Sequence, residues 1–137
     1  MRTAIDTNIL SALWSNEPLS ADIPLRLGEA KNHGALVISP VVYAELLAYP
    51  KATQSFVDKF LADTGITVDF DLSEPVWADA GRRFARNANQ RRKSGHGEPK
   101  RLLADFLIGS HALLQADRLM SLDPTRYRQY FPELKLV

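Results

Sequence analysis

Four short apolar runs, spaced by segments of helical length, constrain this chain more than any other feature. Thr3-Ala4-Ile5, Leu36-Val37-Ile38, Ile66-Thr67-Val68 and the stretch from Arg118 to Leu122 each read as a strand. Asp6 or Thr7 can cap a helix through Ile9, Leu10 and Leu13, and a second helix is expected over Ala21 to Lys31, stopping near Gly34. Ser39-Pro40 opens a third with Val41, Val42, Leu46 and Leu47, because proline at the first helical position has no donor to lose; Tyr49-Pro50 closes it. Another helix is expected from near Thr53 to Asp63, ending at Gly65. Ser73, with Pro75 close behind, opens a long helix whose inward stripe is Val76, Ala80, Phe84 and Ala88. Asn87 to Arg101 is polar, so this helix is expected to fray there into an exposed loop. Leu102 to Gln115 is apolar almost all round, as a helix packed on both sides would be. Leu134 to Val137 is expected to add a short last strand. Strands alternating with helices predict an α/β fold, a three-layer α/β/α sandwich around a mostly parallel sheet. The length of 137 residues fits a single domain, 1–137.

In such sheets, ligands gather outside the carboxyl ends of the strands. Asp6 ends the first strand and Asp123 lies just past the fourth, so both open onto one rim. Glu45 sits in the helix after the second strand, between Ala44 and Leu46, and Asp105 in the first turn of the nearly all-apolar helix. Each acid alone has an ordinary explanation: Asp6 as an N-cap, Glu45 as a solvated helix residue, Asp105 as a partner of the helix dipole, Asp123 as a turn residue before Pro124. Glu45 and Asp105 nevertheless lie in apolar surroundings, where a carboxylate calls for a partner or a metal. Neither Asp6 nor Glu45 has a basic neighbour in the sequence. Four acids on one rim would suit a hard divalent cation, which takes oxygen ligands.

The run Ile5-Asp6-Thr7-Asn8-Ile9-Leu10 resembles the opening of PIN-domain nucleases, and Tyr43-Ala44-Glu45-Leu46 their second acidic motif. Ala104-Asp105-Phe106-Leu107-Ile108 is similar to the third and Ser121-Leu122-Asp123 to the fourth, with Ser121 where threonine is more usual. The compact length and the Phe131-Pro132-Glu133-Leu134 ending resemble the VapC-type toxin branch of that family. The resemblance covers nearly the whole chain. It implies a central parallel sheet, Mg²⁺ or Mn²⁺ as cofactor, and cleavage of RNA phosphodiester bonds by a metal-activated water. Asp6, Glu45, Asp105 and Asp123 would be the ligands, with Thr7, Asn8 and Ser121 beside them. It further implies a homodimer and a small cognate antitoxin that shields the acidic cleft and represses transcription of the pair.

Charge distribution bears on the substrate. Net charge is only +1, but Arg82 to Arg101 holds eight of the 17 basic residues against Glu98 alone, leaving nine basic residues against 15 acids elsewhere. The expectation is that Arg86, Arg91, Arg92, Lys93, Lys100 and Arg101 hold an RNA backbone, although a solvated helix face would look the same. The absence of cysteine excludes a disulfide framework, a thiolate metal site and cysteine nucleophiles. No run of signal-peptide or membrane-span length is visible, which predicts a cytoplasmic protein. The histidines contribute little: His33 precedes Gly34 at a helix end, His96 falls in the basic loop, and His111 lies about 240° around the helix from Asp105.

Rival α/β carboxylate proteins fit less well. A haloacid-dehalogenase-type phosphatase needs a second aspartate where Asn8 stands, and a phospho-receiver domain needs paired acids and a late lysine that are not evident. A PIN-like module that binds RNA or protein without cutting, or a housekeeping RNA-processing nuclease, would carry the same acids.

Overall fold

The computed structural model describes residues 1–15, 21–95 and 101–137. Among these are four strands, β1 (Thr3–Ile5), β2 (Leu36–Ile38), β3 (Ile66–Val68) and β4 (Arg118–Met120). They form one sheet in the order β3-β2-β1-β4, with every neighbouring pair parallel. Seven helices alternate with them: α1 (Thr7–Ser15), α2 (Ile23–Asn32), α3 (Pro40–Leu47), α4 (Gln54–Thr64), α5 (Glu74–Ser94), α6 (Leu103–Gln115) and α7 (Pro124–Tyr130). Every residue of the two inner strands β1 and β2 is buried. Side chains alternate between faces along a strand, so burial of consecutive residues requires cover on both faces. The expected three-layer α/β/α sandwich is what the chain adopts, and it explains why these strands read as unbroken apolar runs.

Local chemistry sets several helix ends. Ser39 Oγ accepts from the Val42 amide at 3.3 Å with Pro40 behind it, and Thr53 Oγ1 accepts from the Phe56 amide at 3.1 Å. Gly65 ends α4 in the left-handed region at φ 70°, where a side chain would be strained.

Four expectations need correction. Helix α5 does not fray at Asn87 but continues to Ser94. Asn87 is itself buried and donates through Nδ2 to Tyr130 Oη at 3.1 Å, which anchors the helix in mid-course. Arg91, Arg92 and Lys93 therefore sit in a last helical turn, where the dipole favours cations. The buried stripe of α5 is Val76, Ala80 and Asn87, while Phe84 remains 37% exposed. Strand β4 stops at Met120, short of Leu122. The C-terminal strand reduces to a single parallel bridge between Leu119 and Leu136.

Helix α6 buries Phe106 through Ala112 without interruption, packing along α5 and against β1 and β4. Gly109 permits this approach, since a Cβ there would lie 2.3 Å from the Phe131 ring. The first turn of α6 is thereby held beside the ends of β1 and β4. Among the described residues, no helix is long and apolar enough to cross a membrane.

Candidate functional site

β1 runs out at Ile5, which leaves Asp6 at the carboxyl edge of the sheet, only 2% exposed. Its Oδ1 accepts from the Thr7 amide at 2.8 Å. Its Oδ2 accepts from Ser121 Oγ at 2.8 Å, from Tyr127 Oη at 3.1 Å and from Arg126 Nη2 at 3.2 Å. Burial nevertheless pushes the Asp6 carboxyl above its usual range, against the pull of Ser121, Arg126, Tyr127 and Thr7. Burial, and then the Asp6 charge, push the Tyr127 phenol far up as well, so it stays a proton donor.

The remaining acids arrive on three helices. Asp105, in the first turn of α6, accepts from the Leu102 amide at 3.4 Å through Oδ2 and faces Arg126 Nη1 with Oδ1 at 3.5 Å. Asp123 caps α7, with Oδ1 taking the Arg126 amide at 3.4 Å and Oδ2 lying 3.8 Å from Arg126 Nε. Its ordinary capping role is thus present alongside its place at the rim. Glu45, expected in apolar surroundings, is instead exposed on α3; its Oε1 accepts from Thr7 Oγ1 at 2.6 Å. The structure therefore gathers Asp6, Asp105 and Asp123 around one guanidinium, and links Glu45 to Asp6 through Thr7. Among the described residues, no three acids or histidines stand close enough together to hold a metal ion as their side chains lie.

Sequence reasoning missed Arg126 and Tyr127. Arg126 sits 120 positions from Asp6, so a search for neighbouring bases could not find it. The available signal was Asp123-x-x-Arg126 in a helix opened by Pro124, a spacing that puts both on one face. Asn8 and Ser121 tie the rim together. Asn8 Oδ1 accepts from the Leu122 amide at 3.1 Å and its Nδ2 donates to Ser121 Oγ at 3.4 Å, while Ser121 Oγ also accepts from the Asp123 amide at 3.0 Å.

The donors at this rim are all oxygen, and a cation already bridges three of the carboxylates. Both features fit a hard divalent cation, which takes oxygen ligands.

The basic residues divide. Arg86 borders a cavity of about 230 Å³ with Asn87, Gln90, Gln129 and Tyr130. Arg101 lies over the Tyr130 ring at 5.8 Å and shares a crevice with Asp105 and Arg126. Arg91, Arg92 and Lys93 end α5, whereas Lys100 and His96 lie outside the described residues. Arg83 is committed to the fold, bonded to Asp79 at 2.9 Å and Glu133 at 3.1 Å and stacked on Phe131 at 4.4 Å. His33 closes α2, as expected. His111 is not a bystander: it is buried, with Nε2 3.0 Å from Asp69 Oδ2.

Comparison with known proteins adds an independent line. The PIN domain family matches residues 3–131. No curated protein matches the chain. Among solved structures, VapBC2 from Rickettsia felis, bound to a DNA fragment from its promoter, superposes with a TM-score of 0.70 at 22% identity, covering 100% of this chain and 98% of that one. VapBC-1 from nontypeable Haemophilus influenzae gives 0.68 at 25% identity, covering 100% and 97%. FitAcB from Neisseria gonorrhoeae gives 0.59 at 15% identity, covering 98% and 95%.

Proposed function

The chain belongs to the PIN-domain family, and from that premise we propose that it is a metal-dependent endoribonuclease acting as the toxin of a toxin–antitoxin pair. One observation carries the reading: carboxylates from the end of β1, the start of α6 and the cap of α7 collect around a single positive charge at the carboxyl rim of the sheet. Asp6, Asp105, Asp123 and Glu45 would hold Mg²⁺ or Mn²⁺. When bound, such an ion lowers the pKa of its water and neutralises charge on the phosphoryl oxygens.

The chain's own residues do the positioning. Ser121 and Tyr127 fix Asp6 Oδ2, and the Thr7 amide fixes its Oδ1. Thr7 Oγ1 also aims Glu45 toward the same rim. Asn8 holds the loop that carries Ser121 and Asp123. Arg86, Arg91, Arg92, Lys93, Lys100 and Arg101 would hold the RNA backbone through phosphate contacts that position without reading sequence. No side-chain nucleophile is required.

A cognate antitoxin and a homodimeric state belong to the same reading. The antitoxin draws support from the likeness to VapBC-1 of nontypeable Haemophilus influenzae. A cytoplasmic location and a single domain over 1–137 are part of the same proposal. The test is Mn²⁺-dependent cleavage of a panel of cellular RNAs. We expect cleavage by the native chain, its loss on chelation, and its loss in Asp6→Asn with the circular dichroism spectrum unchanged. Equal cleavage by Asp6→Asn, or none by the native chain, would sink the reading.

A further inference from the structure

We propose that Arg126 is a built-in counter-cation of the acid site, which holds Asp6, Asp105 and Asp123 together until a divalent ion displaces it. This inference rests on the metal-binding reading above and adds to it a residue that competes for the same oxygens.

The geometry carries the argument. One guanidinium spans three acids, with Nη2 at 3.2 Å from Asp6, Nη1 at 3.5 Å from Asp105 and Nε at 3.8 Å from Asp123. Only the first lies near hydrogen-bond length; strong guanidinium–carboxylate bonds run at roughly 2.7–2.9 Å. Arg126 Nε is buried and has no hydrogen-bond partner among the described residues. A charge-bearing donor is left unsatisfied, a state that folded proteins seldom tolerate without a reason. Nη2 makes its bonds, to Asp6 and at 3.4 Å to Tyr127 Oη, but Nη1 and Nε face Asp105 and Asp123 through charge alone, with the Tyr127 ring 5.0 Å from the guanidinium.

Arg83 shows what a structural arginine in this protein looks like. It bonds Asp79 at 2.9 Å and Glu133 at 3.1 Å, donates to the Tyr130 carbonyl, and stacks on Phe131 at 4.4 Å. Its side chain is 11% exposed, against 22% for Arg126. Arg126 has the looser hold and the freer route to solvent.

Charge arithmetic sets the competition. Three carboxylates against one guanidinium leave an excess of two negative charges, so the rim still attracts a divalent ion. The ion and the guanidinium cannot both sit within contact of Asp6 Oδ2, because like charges at that distance repel strongly in a buried site. Metal entry and departure of Arg126 are therefore one event, and Arg126 sets how much free ion the protein needs. Without it, the three acids would repel each other in the metal-free chain.

The experiment compares the native chain with Arg126→Gln and Arg126→Lys, using Mn²⁺ titration calorimetry and thermal melts with and without Mn²⁺. Arg126→Gln should bind Mn²⁺ more tightly, by about ten-fold, the scale of changes made beside metal ligands. Its metal-free form should melt below the native chain, and Mn²⁺ should raise its melting temperature by more. Arg126→Lys, which keeps the charge and loses the fork, should fall between them and serves if Arg126→Gln folds only with metal. Equal Mn²⁺ affinity in all three overturns the role of Arg126 while leaving the metal reading intact. Failure of every form to bind Mn²⁺ overturns both.

Discussion

Helix α6 carries a cluster around a shielded carboxylate at each end, and the two are built differently. Toward its C-terminus, His111 and Gln115 reach Asp69, which follows β3. Asp69 Oδ2 accepts from Gln115 Nε2 at 2.8 Å and meets His111 Nε2 at 3.0 Å and Arg2 Nη2 at 3.1 Å. Burial raises the Asp69 carboxyl, but His111, Gln115 and Arg2 outweigh it and hold the group below its usual range. At the N-terminus of α6, Asp105 faces Arg126 and, through it, Asp6. There burial wins, and Asp6 stays raised despite Ser121, Arg126, Tyr127 and Thr7. A fully answered carboxylate stabilises the fold; one left short of charge compensation is suited to receive a ligand.

Substitution at the two acids should break the comparison if it is mistaken. The largest expected effect is on activity: Asp6→Asn should abolish metal-dependent RNA cleavage. Because the folded pKa of Asp6 lies above its unfolded value, its ionised form disfavours folding at neutral pH. Asp6→Asn should therefore be at least as resistant to urea as the native chain at pH 7. Asp69→Ala should do the opposite, leaving the His111, Gln115 and Arg2 donors short of an acceptor and lowering stability by about 2 kcal/mol. RNA cleavage below the melting temperature should survive it. Urea midpoints that move the same way in both variants would remove the distinction.

The contrast also shows what sequence could and could not reveal. β1, β2 and β3, the Ser39 cap and the Gly65 stop were legible, because each follows from residues within a few positions of it. The PIN resemblance was legible for the same reason, since its motifs are local runs that the fold then repeats. The continuation of α5 past Asn87 was not, because that burial depends on Tyr130, 43 positions on. His111 was dismissed by its angle from Asp105, and the angle was right. Its partner comes from the far side of a long helix, at Asp69, and no periodicity within α6 can report it. Arg126 stayed hidden for the same physical reason: charge pairing is set by three-dimensional proximity, and the acid it meets most closely begins the chain.

A smaller effect sharpens the comparison through pH. Burial holds the His111 imidazole below its ordinary value of 6.5, more strongly than Asp69 pulls it up. The folded chain thus keeps His111 neutral where the unfolded chain has begun to bind a proton. Stability should be full above about pH 6.5 and decline as pH falls below it, by at most about 1.4 kcal/mol per pH unit for this one proton. Urea midpoints measured between pH 7 and pH 5 should show that slope in the native chain. His111→Gln should flatten it, while changes at Arg126 leave it in place. A slope unaltered by His111→Gln would mean that this end of α6 does not titrate as argued.

The smallest expected change in stability, and the last check, lies away from both clusters. Half-buried Arg91 and exposed Arg92 and Lys93 lie in the last turn of α5 and take no part in holding Asp6 or Asp69. Replacing all three by glutamine should shift the urea midpoint little, since exposed substitutions stay within about 0.5 kcal/mol each. RNA affinity should fall, and its dependence on salt should become shallower by about one unit of slope for each phosphate contact removed. The two readouts separate what α5 does for the fold from what it does for a polyanion. If affinity and salt slope both stay put, this basic turn is a solvated helix end favoured only by the dipole, and the RNA must be held by other residues of the rim.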